Sequence, residues 1–295
     1  METKRVVSPG AEKWLGVVQP VLDKGEIELI DYIGSEEQMV GIARISHGKI
    51  LPHTDPAAVR RLINYFISNR HTSPLEFIET TWRWRLPIFV ARQVIRHRTA
   101  NVNEQSARHS ELGADLYIPE LDRVQGQSKD NKQGSTTSKD KVREAGSEGT
   151  LPVEVRQDFI ESLQEIERTS KIFYGETLRG GIAKEIARIH LPVGVYTNWV
   201  WKMDLHNLFH FLSLRLDEHS QYEIRVYAEA MWKVIKDAYP MCAEAFEEYR
   251  LSAVTFSRSE MEVLRVMLEV ASNGMGNKLV RADENLSKIL KKAGL

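Results

Sequence analysis

The fold is best read from residues 78–108, IETTWRWRLPIFVARQVIRHRTANVNEQSAR. Its first part, residues 78–86, alternates apolar and polar side chains, which predicts a strand with one buried face. The segment from Phe89 to His97 is predicted to be a helix that ends near Arg96-His97-Arg98. Three side chains that can carry positive charge therefore follow directly on two elements of regular structure.

The residues after this basic triplet are also unusual for a protein core. They have hydrogen-bonding side chains, namely Asn101, Asn103, Glu104, Gln105, Ser106 and Arg108. Arginine offers a planar fork of donors that suits phosphates and carbonyl groups. Glu104 can accept from a ribose hydroxyl or a ring N–H. The triplet alone would favour a solvated basic turn, but the polar residues behind it favour a site for phosphates and a heterocycle.

Composition narrows the class of protein. The chain has 295 residues, of which 42% are hydrophobic and 27% charged, as in a globular enzyme. A net charge of −1 provides no general attraction for nucleic acid or an anionic membrane. No apolar run approaches the roughly 18–20 residues of a membrane span, and the first residues lack a secretory signal. Cys242 is the single cysteine, which excludes an intramolecular disulfide framework and predicts a cytoplasmic protein.

Strand and helix signals are mixed along the chain, which predicts an α+β fold. A strand is expected at 27–33, followed by a helix whose capping box is Ser35 to Gln38. Thr54 or Asp55 is expected to cap the next helix. Further helices are expected at 153–178, 182–191, 205–217 and 219–238, with a short strand at 193–199. We expect a central mixed or antiparallel sheet flanked by long helices.

Two segments lie outside this pattern. Residues 122–149 contain almost no apolar side chains, which predicts a mobile loop inserted in the main domain. Ser257 to Glu260 forms a second capping box and opens a C-terminal helix, and residues 285–295 form at most a short basic amphipathic helix. We therefore predict a main domain over residues 1–253 and a C-terminal helical extension over residues 254–295.

The spacing of the basic triplet resembles a known signature. Arg96-His97-Arg98, seven residues and then Ser106, with Asn103-Glu104 and Arg108, is similar to the motif of the flavin-dependent thymidylate synthases. Three other segments also resemble that family. They are HTSPLE at 71–76, Arg188 in IARIHLP, and the block with Leu214-Arg215, Glu218-His219 and residues 223–225. The resemblance extends from residue 27 to residue 246.

The resemblance implies that family's α+β fold and a reductive methylation of dUMP to dTMP. Methylenetetrahydrofolate would supply the carbon, FAD would carry the hydride and NADPH would reduce the FAD. The family also implies a homotetramer with active sites shared between subunits. A Gly-rich dinucleotide motif is not needed, and the lone Gly274-Met275-Gly276 lacks the context of one.

The resemblance also assigns ligands to residues of this chain. It assigns the nucleotide to Gln93, Arg96, Glu104, Gln105, Ser106, Ala107, Arg108, Arg188 and Arg215. It assigns FAD to Ser73, Arg96, His97, Arg98, Glu104, Asp204, His206 and His210. His71 and His219 are expected to orient flavin or folate. Arg215 is the predicted catalytic residue, because it would hydrogen-bond the pyrimidine and favour its ionised form.

Several residues have competing interpretations. Arg215 could instead form a surface salt bridge with Asp217 or Glu218. Ser106 is expected to position the ring rather than act as a nucleophile, because a hydroxyl needs an adjacent base. His206 and His210 have the i, i+4 spacing of a metal pair, but no third ligand is evident, and we predict no metal.

Four positions depart from the commonest pattern of the family. Phe77 stands where a histidine is frequent, His109 where a tyrosine is frequent, and Asp204 and His206 where Asn and Arg are frequent. The last two coincide with expected flavin contacts. They bear on flavin affinity and folate approach rather than on the reaction.

Other functions remain as alternatives. A cysteine-dependent thymidylate synthase needs an activated cysteine, whereas Cys242 in PMCAEAF is expected to be a small buried apolar residue. A nucleic-acid-binding module could use the basic triplet with Trp82 and Trp84, although the net charge argues against it. A catalytically inactive flavin-binding relative is the third alternative.

Overall fold

The computed structural model describes residues 6–48, 55–128, 134–135 and 151–275. The chain divides into two compact units, Met1–Leu251 and Ser252–Leu295. Most of the predicted loop at 122–149 and the predicted amphipathic helix at 285–295 lie outside the described residues. The division into a main domain over residues 1–253 and a C-terminal extension over residues 254–295 stays a prediction. None of the helices in the described ranges is long and apolar enough to cross a membrane.

A five-stranded sheet forms the centre of the first unit. Its strands are β1 (Val18–Val21), β2 (Gly25–Ile33), β3 (Glu79–Pro87), β4 (Asn101–Glu104) and β5 (Tyr196–Asp204). Their order is β1-β2-β3-β5-β4, and each neighbouring pair is antiparallel. The α+β prediction is confirmed, and the strands expected at 27–33 and 78–86 are present. The strand expected at 193–199 starts at Tyr196 and continues to Asp204, because Trp199, Trp201 and Met203 alternate into the core.

Helices precede, separate and follow these strands in the chain. They are α1 (Pro9–Trp14), α2 (Glu36–Ala43), α3 (Pro56–Ser68), α4 (Ile88–Val94), α5 (Val153–Arg179), α6 (Lys184–Ala187), α7 (Leu205–Arg215), α8 (Tyr222–Ala238), α9 (Pro240–Phe246) and, in the second unit, α10 (Arg258–Met275). The predicted caps are confirmed, since Ser35 accepts from the Gln38 amide and Asp55 from that of Ala57. The helix expected at 182–191 is shorter and ends in a 3₁₀ turn at Arg188–His190. In the second unit, Ser257 and Glu260 form the reciprocal bonds of a capping box.

Tryptophans from neighbouring strands fill the core between the sheet and the helices. Trp82 and Trp84 are 0% exposed. The Trp84 ring stacks on Tyr227 of α8 with centroids 5.1 Å apart, and it meets Trp201 edge-on at 5.5 Å. Rings buried in this way cannot stack on bases. The alternative that Trp82 and Trp84 bind nucleic acid is therefore wrong.

The start of the predicted mobile loop is ordered by a buried ion pair. Leu121–Arg123 form a 3₁₀ turn, and Arg123 donates to Glu223 of α8. A loop prediction that begins at Asp122 is thus wrong at its first residues. The composition of the segment concealed this contact because its partner lies 100 residues away in the sequence.

Glu36 and Cys242 form a second buried polar contact. Cys242 is 0% exposed, which confirms it as a buried residue, and burial raises the pKa of its thiol. The Cys242 amide donates to the Glu36 carboxylate at 2.6 Å. Burial raises the pKa of Glu36 to about 7, against the lowering effect of that hydrogen bond.

Replacing Glu36 should therefore change how stability depends on pH. Because the pKa of Glu36 is higher in the folded chain, the folded state binds more protons between about pH 4.5 and 7. The free energy of unfolding falls as pH rises through this window. Glu36→Gln keeps an acceptor for Cys242 without the charge. We expect it to gain on the order of 2 kcal/mol relative to wild type between pH 5 and 8 in urea unfolding. A difference that does not change with pH would contradict this account.

Candidate active site

Several residues of the signature line one pocket with Arg188. This Arg188 pocket, of about 350 Å³, is lined by Ile88, Glu104, Gln105, Ser106, Ala107, Leu112, Arg188, Leu191 and Thr197. The antiparallel pairing of β4 with β5 places Glu104 opposite Trp199. The residues that the sequence assigned to the nucleotide from Glu104 to Ala107 are thus brought together with Arg188. Short β4 was missed because the polar run NVNE has no apolar alternation.

Hydrogen bonds from β5 orient the polar side chains of this pocket. The Thr197 hydroxyl donates to Glu104 Oε1 at 2.9 Å, and Asn198 Nδ2 donates to Gln105 Oε1 at 2.8 Å. The Gln105 backbone amide also donates to the Asn198 carbonyl at 2.8 Å. Sequence reasoning missed Thr197 and Asn198. The only available signal was their position inside the strand predicted at 193–199.

Ser106 makes local backbone contacts. Its hydroxyl accepts from the Arg108 amide at 3.2 Å, and its carbonyl accepts from the His109 amide at 3.0 Å. No described histidine ring hydrogen-bonds its hydroxyl, so none of these histidines is placed as the general base of a nucleophilic serine. The exposed Arg108 guanidinium lies 3.3 Å from a Glu185 carboxylate oxygen.

A second cluster contains His97 and the predicted catalytic arginine. Arg215, in the last turn of α7, donates from Nε to His97 Nε2 at 3.2 Å. The His97 ring also packs edge-on against Phe211, with centroids 4.9 Å apart. Burial, then the charge of Arg215 and that of His210, lower the pKa of His97 to about 4. His97 is therefore neutral at neutral pH and accepts the hydrogen bond.

The hydrogen bond to His97 competes with the surface salt bridge to Asp217 or Glu218 that the sequence also allows for Arg215. Asp217 is engaged instead with His219, whose Nδ1 lies 2.8 Å from Asp217 Oδ1. Arg215 is only half-exposed, and burial lowers its pKa from the ordinary value. Its Nε is occupied by His97, which leaves the two terminal nitrogens of the guanidinium as donors for a ligand.

A hydrogen-bonded chain reaches Gln93 from the buried Glu223. Gln93 donates to Gln221, and Gln221 Nε2 donates to Glu223 Oε2 at 2.8 Å. Glu223 also accepts from Arg123 Nε at 2.7 Å and from the Tyr117 hydroxyl at 3.2 Å. Burial opposes ionisation of Glu223, but the bonds and charge of Arg123 outweigh it and lower its pKa. We call these five residues the Glu223 network.

Three histidines with expected ligand roles line a second cavity. This histidine cavity, of about 320 Å³, is lined by Phe66, Ile67, Arg70, His71, Thr72, Leu75, His206, Phe209, His210, Ser213, Phe246 and Arg250. His71 also stacks on Tyr65, with ring centroids 5.3 Å apart. Phe77 and His109 are not among the lining residues of either cavity. Sequence reasoning missed Arg70 and Arg250.

Other expected ligand residues lie elsewhere. Asp204 caps α7 and accepts from the Asn207 amide and side chain, at 2.8 and 2.6 Å. His219 is exposed beside Asp217 and does not line the histidine cavity. Ser73, Arg96 and Arg98 are exposed. In the described ranges, no group of three His, Cys, Asp or Glu side chains is placed to hold a metal ion.

The His97–Arg215 pair and the Arg188 pocket lie toward opposite ends of the edge strand β4. His97 precedes its first residue, Asn101, and Glu104 is its last. A four-residue strand spans roughly 10 Å between its first and last Cα atoms. The pairing of Asn101 with Lys202 directs the first end toward α7, while the pairing of Glu104 with Trp199 directs the other toward the start of β5.

Comparison with known proteins agrees with the family resemblance of the sequence motifs. Residues 28–241 match the family model described as thymidylate synthase complementing protein. A flavin-dependent thymidylate synthase of Ehrlichia ruminantium (strain Gardel) is 43% identical over 286 residues, covering 97% of this chain and 90% of the relative. One from Rickettsia bellii is 42% identical and covers 98% of this chain and 99% of the relative.

A solved structure shows the same architecture. The UMP/dUMP methylase PolB from Streptomyces cacaoi, bound with 5-Br dUMP, superposes with a TM-score of 0.66 at 30% sequence identity. The superposition covers 79% of this chain and 99% of that protein.

Proposed function

Because this chain belongs to the flavin-dependent thymidylate synthase family, we propose that the Arg188 pocket, the His97–Arg215 pair and the histidine cavity together form its active site. The chain is an enzyme, a FAD-dependent thymidylate synthase that methylates dUMP to dTMP. Our residue assignments rest on one observation. Arg188 and the signature residues from Glu104 to Ala107 line the same pocket.

The Arg188 pocket suits the anionic nucleotide. Arg188, together with Arg108 from the end of the sequence signature, supplies charge for the phosphate, since guanidinium groups bind phosphate oxygens in bidentate fashion. Glu104, Gln105, Ser106 and Ala107 contact the sugar and base edges. Gln93, held by the Glu223 network, and the exposed Arg96 complete the nucleotide contacts. Ser106 positions the ring and forms no covalent adduct.

Arg215 acts electrostatically on the pyrimidine. Carbon 5 of uracil becomes nucleophilic when negative charge develops on the ring. A guanidinium keeps its charge under all physiological conditions, and a fixed donor aimed at developing charge lowers the barrier. Neutral His97 accepts from Arg215 Nε and thereby holds the terminal nitrogens in a fixed direction.

The residues around the basic triplet fit a flavin. Arg96 and Arg98 are exposed cations suited to phosphates. His206 and His210 line the histidine cavity together with Phe209 and Leu75, and the His97 ring packs edge-on against His210 and Phe211. Ser73, Glu104 and Asp204 are proposed as further contacts. Hydride transfer from NADPH is the chemistry that FAD supplies when bound. We place methylenetetrahydrofolate, the proposed carbon donor, near His71, with His219 as a further orienting residue.

A homotetramer with shared active sites is supported by exposed apolar side chains. On α5 and after it, Phe173, Ile182, Ile186 and Ile189 are 56%, 49%, 54% and 77% exposed. Contiguous exposed apolar surface marks an interaction site. Ile189 adjoins Arg188, so a partner subunit packed there would reach the edge of the Arg188 pocket. We also propose a cytoplasmic location, where the single cysteine stays reduced.

Mixing two inactive variants tests the shared site. Arg215→Ala and Arg188→Ala are each expected to be inactive as pure proteins. If each site takes Arg215 from one subunit and Arg188 from another, reassociated mixtures should regain about one quarter of wild-type activity, because random pairing across a two-fold interface leaves some sites without either substitution. Mixtures that stay inactive while forming tetramers would show that both arginines act within one chain.

A further inference from the structure

Arg70 occupies a backbone position that normally favours glycine. Helix α3 ends with Asn69 as its C-cap, and Arg70 follows at φ +61°. The His71 amide donates to the Phe66 carbonyl at 2.8 Å, and the Arg70 amide donates to that of Ile67 at 3.4 Å. These two bonds form a Schellman motif, whose left-handed residue is usually glycine. A side chain there carries backbone strain, and such strain is concentrated at functional sites.

A second arginine lies beside Arg70 at the same helix end. Arg250, in the π-helical turn Glu247–Leu251, donates from Nη2 to the Ile67 carbonyl at 3.3 Å. Both side chains line the histidine cavity. Burial, and then the charge of Arg70, lower the pKa of Arg250. Both guanidinium groups therefore contribute positive charge to the same cavity.

The surroundings leave this charge without compensation. No acidic side chain is among the described residues that line the histidine cavity. Over the described part of the chain, neither Arg70 nor Arg250 forms an ion pair with a carboxylate. Arg60 of α3, in contrast, pairs with Glu244. The aromatic and histidine side chains of this cavity suit a flat ring. The two guanidinium groups that also line it suit an anionic tail on that ring.

We propose that Arg70 and Arg250 form an anion-binding pair that holds the carboxylates or phosphates of a co-substrate whose ring enters the histidine cavity. The inference rests on the proposed function, which supplies two co-substrates of this kind. One is methylenetetrahydrofolate with its glutamate tail, and the other is NADPH with its phosphates. Arg250 is anchored by the Ile67 carbonyl, and the exposed Arg70 completes the pair.

Direct binding to the FAD-loaded enzyme tests this pair without relying on turnover. Calorimetric titrations would use monoglutamated and polyglutamated methylenetetrahydrofolate and NADP⁺, with wild type, Arg70→Gly, Arg70→Lys and Arg61→Ala. Arg61 is an exposed arginine of α3 outside the cavity lining and serves as the matched control. We expect Arg70→Gly to raise the Kd of one co-substrate about tenfold, as for the loss of a charge-assisted bond. Arg70→Lys should recover part of the affinity, and Arg61→Ala should match wild type.

The same variant separates a binding role from a structural one. Since glycine relieves the strain at φ +61°, Arg70→Gly should leave Tm unchanged or raise it. A loss of affinity that is largest for polyglutamated folate would identify the glutamate tail as the anion. A loss confined to NADP⁺ would identify the phosphates.

Unchanged Kd values for both co-substrates, or a lowered Tm with unchanged Kd values, would overturn the inference. Failure of the proposed function is distinguishable from this result, because it would appear as an absence of dTMP formation by the wild-type enzyme.

Discussion

Arg215→Ala is expected to abolish dTMP formation while the protein retains FAD. The substitution removes the guanidinium that we propose faces the pyrimidine, and it leaves His97 without its 3.2 Å hydrogen bond. Loss of one preorganised donor to developing negative charge lowers turnover by about a hundred- to a thousandfold. The expected result is flavin absorbance like that of wild type, with a dTMP yield near the detection limit in a chromatographic assay.

Two further variants show whether the loss comes from the lost electrostatic contact. Arg215→Lys keeps the charge without the planar fork and should recover only a small part of the activity. Arg179→Ala removes an exposed arginine from the last turn of another helix, α5, and should leave turnover unchanged. Turnover like that of wild type in Arg215→Ala would remove the assigned role. Simultaneous loss of FAD would show that Arg215 supports the cofactor instead.

Glu223→Ala is expected to destabilise the enzyme strongly and to weaken dUMP binding. The substitution leaves Arg123, Tyr117 and Gln221 without their shared acceptor in a site where Glu223 is only 3% exposed. Breaking a buried ion pair costs roughly 3 kcal/mol of unfolding free energy when one charge is left behind. Gln221 would then no longer be held, and Gln93 would lose its fixed position.

Urea unfolding and the KM for dUMP measure the two effects separately. Glu229→Ala is the matched control, because Glu229 is exposed on the same helix and pairs with Arg225. Such surface pairs contribute about 0–1 kcal/mol. A Glu223→Ala variant no less stable than Glu229→Ala would contradict the role of the network. An unchanged KM for dUMP in a folded variant would contradict its link to Gln93.

Local patterns in the sequence predicted much of the sheet and many helix ends. Residues 78–86 show apolar alternation because one face of β3 packs on the core, and that periodicity is visible within a short window. Caps such as Ser35 are equally local, since the side chain bonds an amide three residues away. The ligand residues, in contrast, were assigned by resemblance to family motifs, because residue types alone also allowed a solvated basic turn.

The parts that could not be predicted depend on contacts between distant segments. Arg123 and Glu223 pair across 100 residues, and their ordinary charged character gave no sign of it. The neutral state of His97 follows from burial and from the charge of Arg215, which only the fold brings together. Arg70 looks like any surface arginine until its positive φ is known. Phe159 and Ile166 of α5 are exposed in the single chain, although a helix pattern with regularly spaced apolar residues usually marks a buried face.

The visible spectrum of the purified enzyme shows whether this chain couples FAD chemistry to dUMP. The spectrum is recorded before and after addition of NADPH, with and without dUMP. We expect a flavin band that NADPH bleaches, and faster bleaching when dUMP is bound. Protein that is colourless and takes up no added FAD would contradict this expectation.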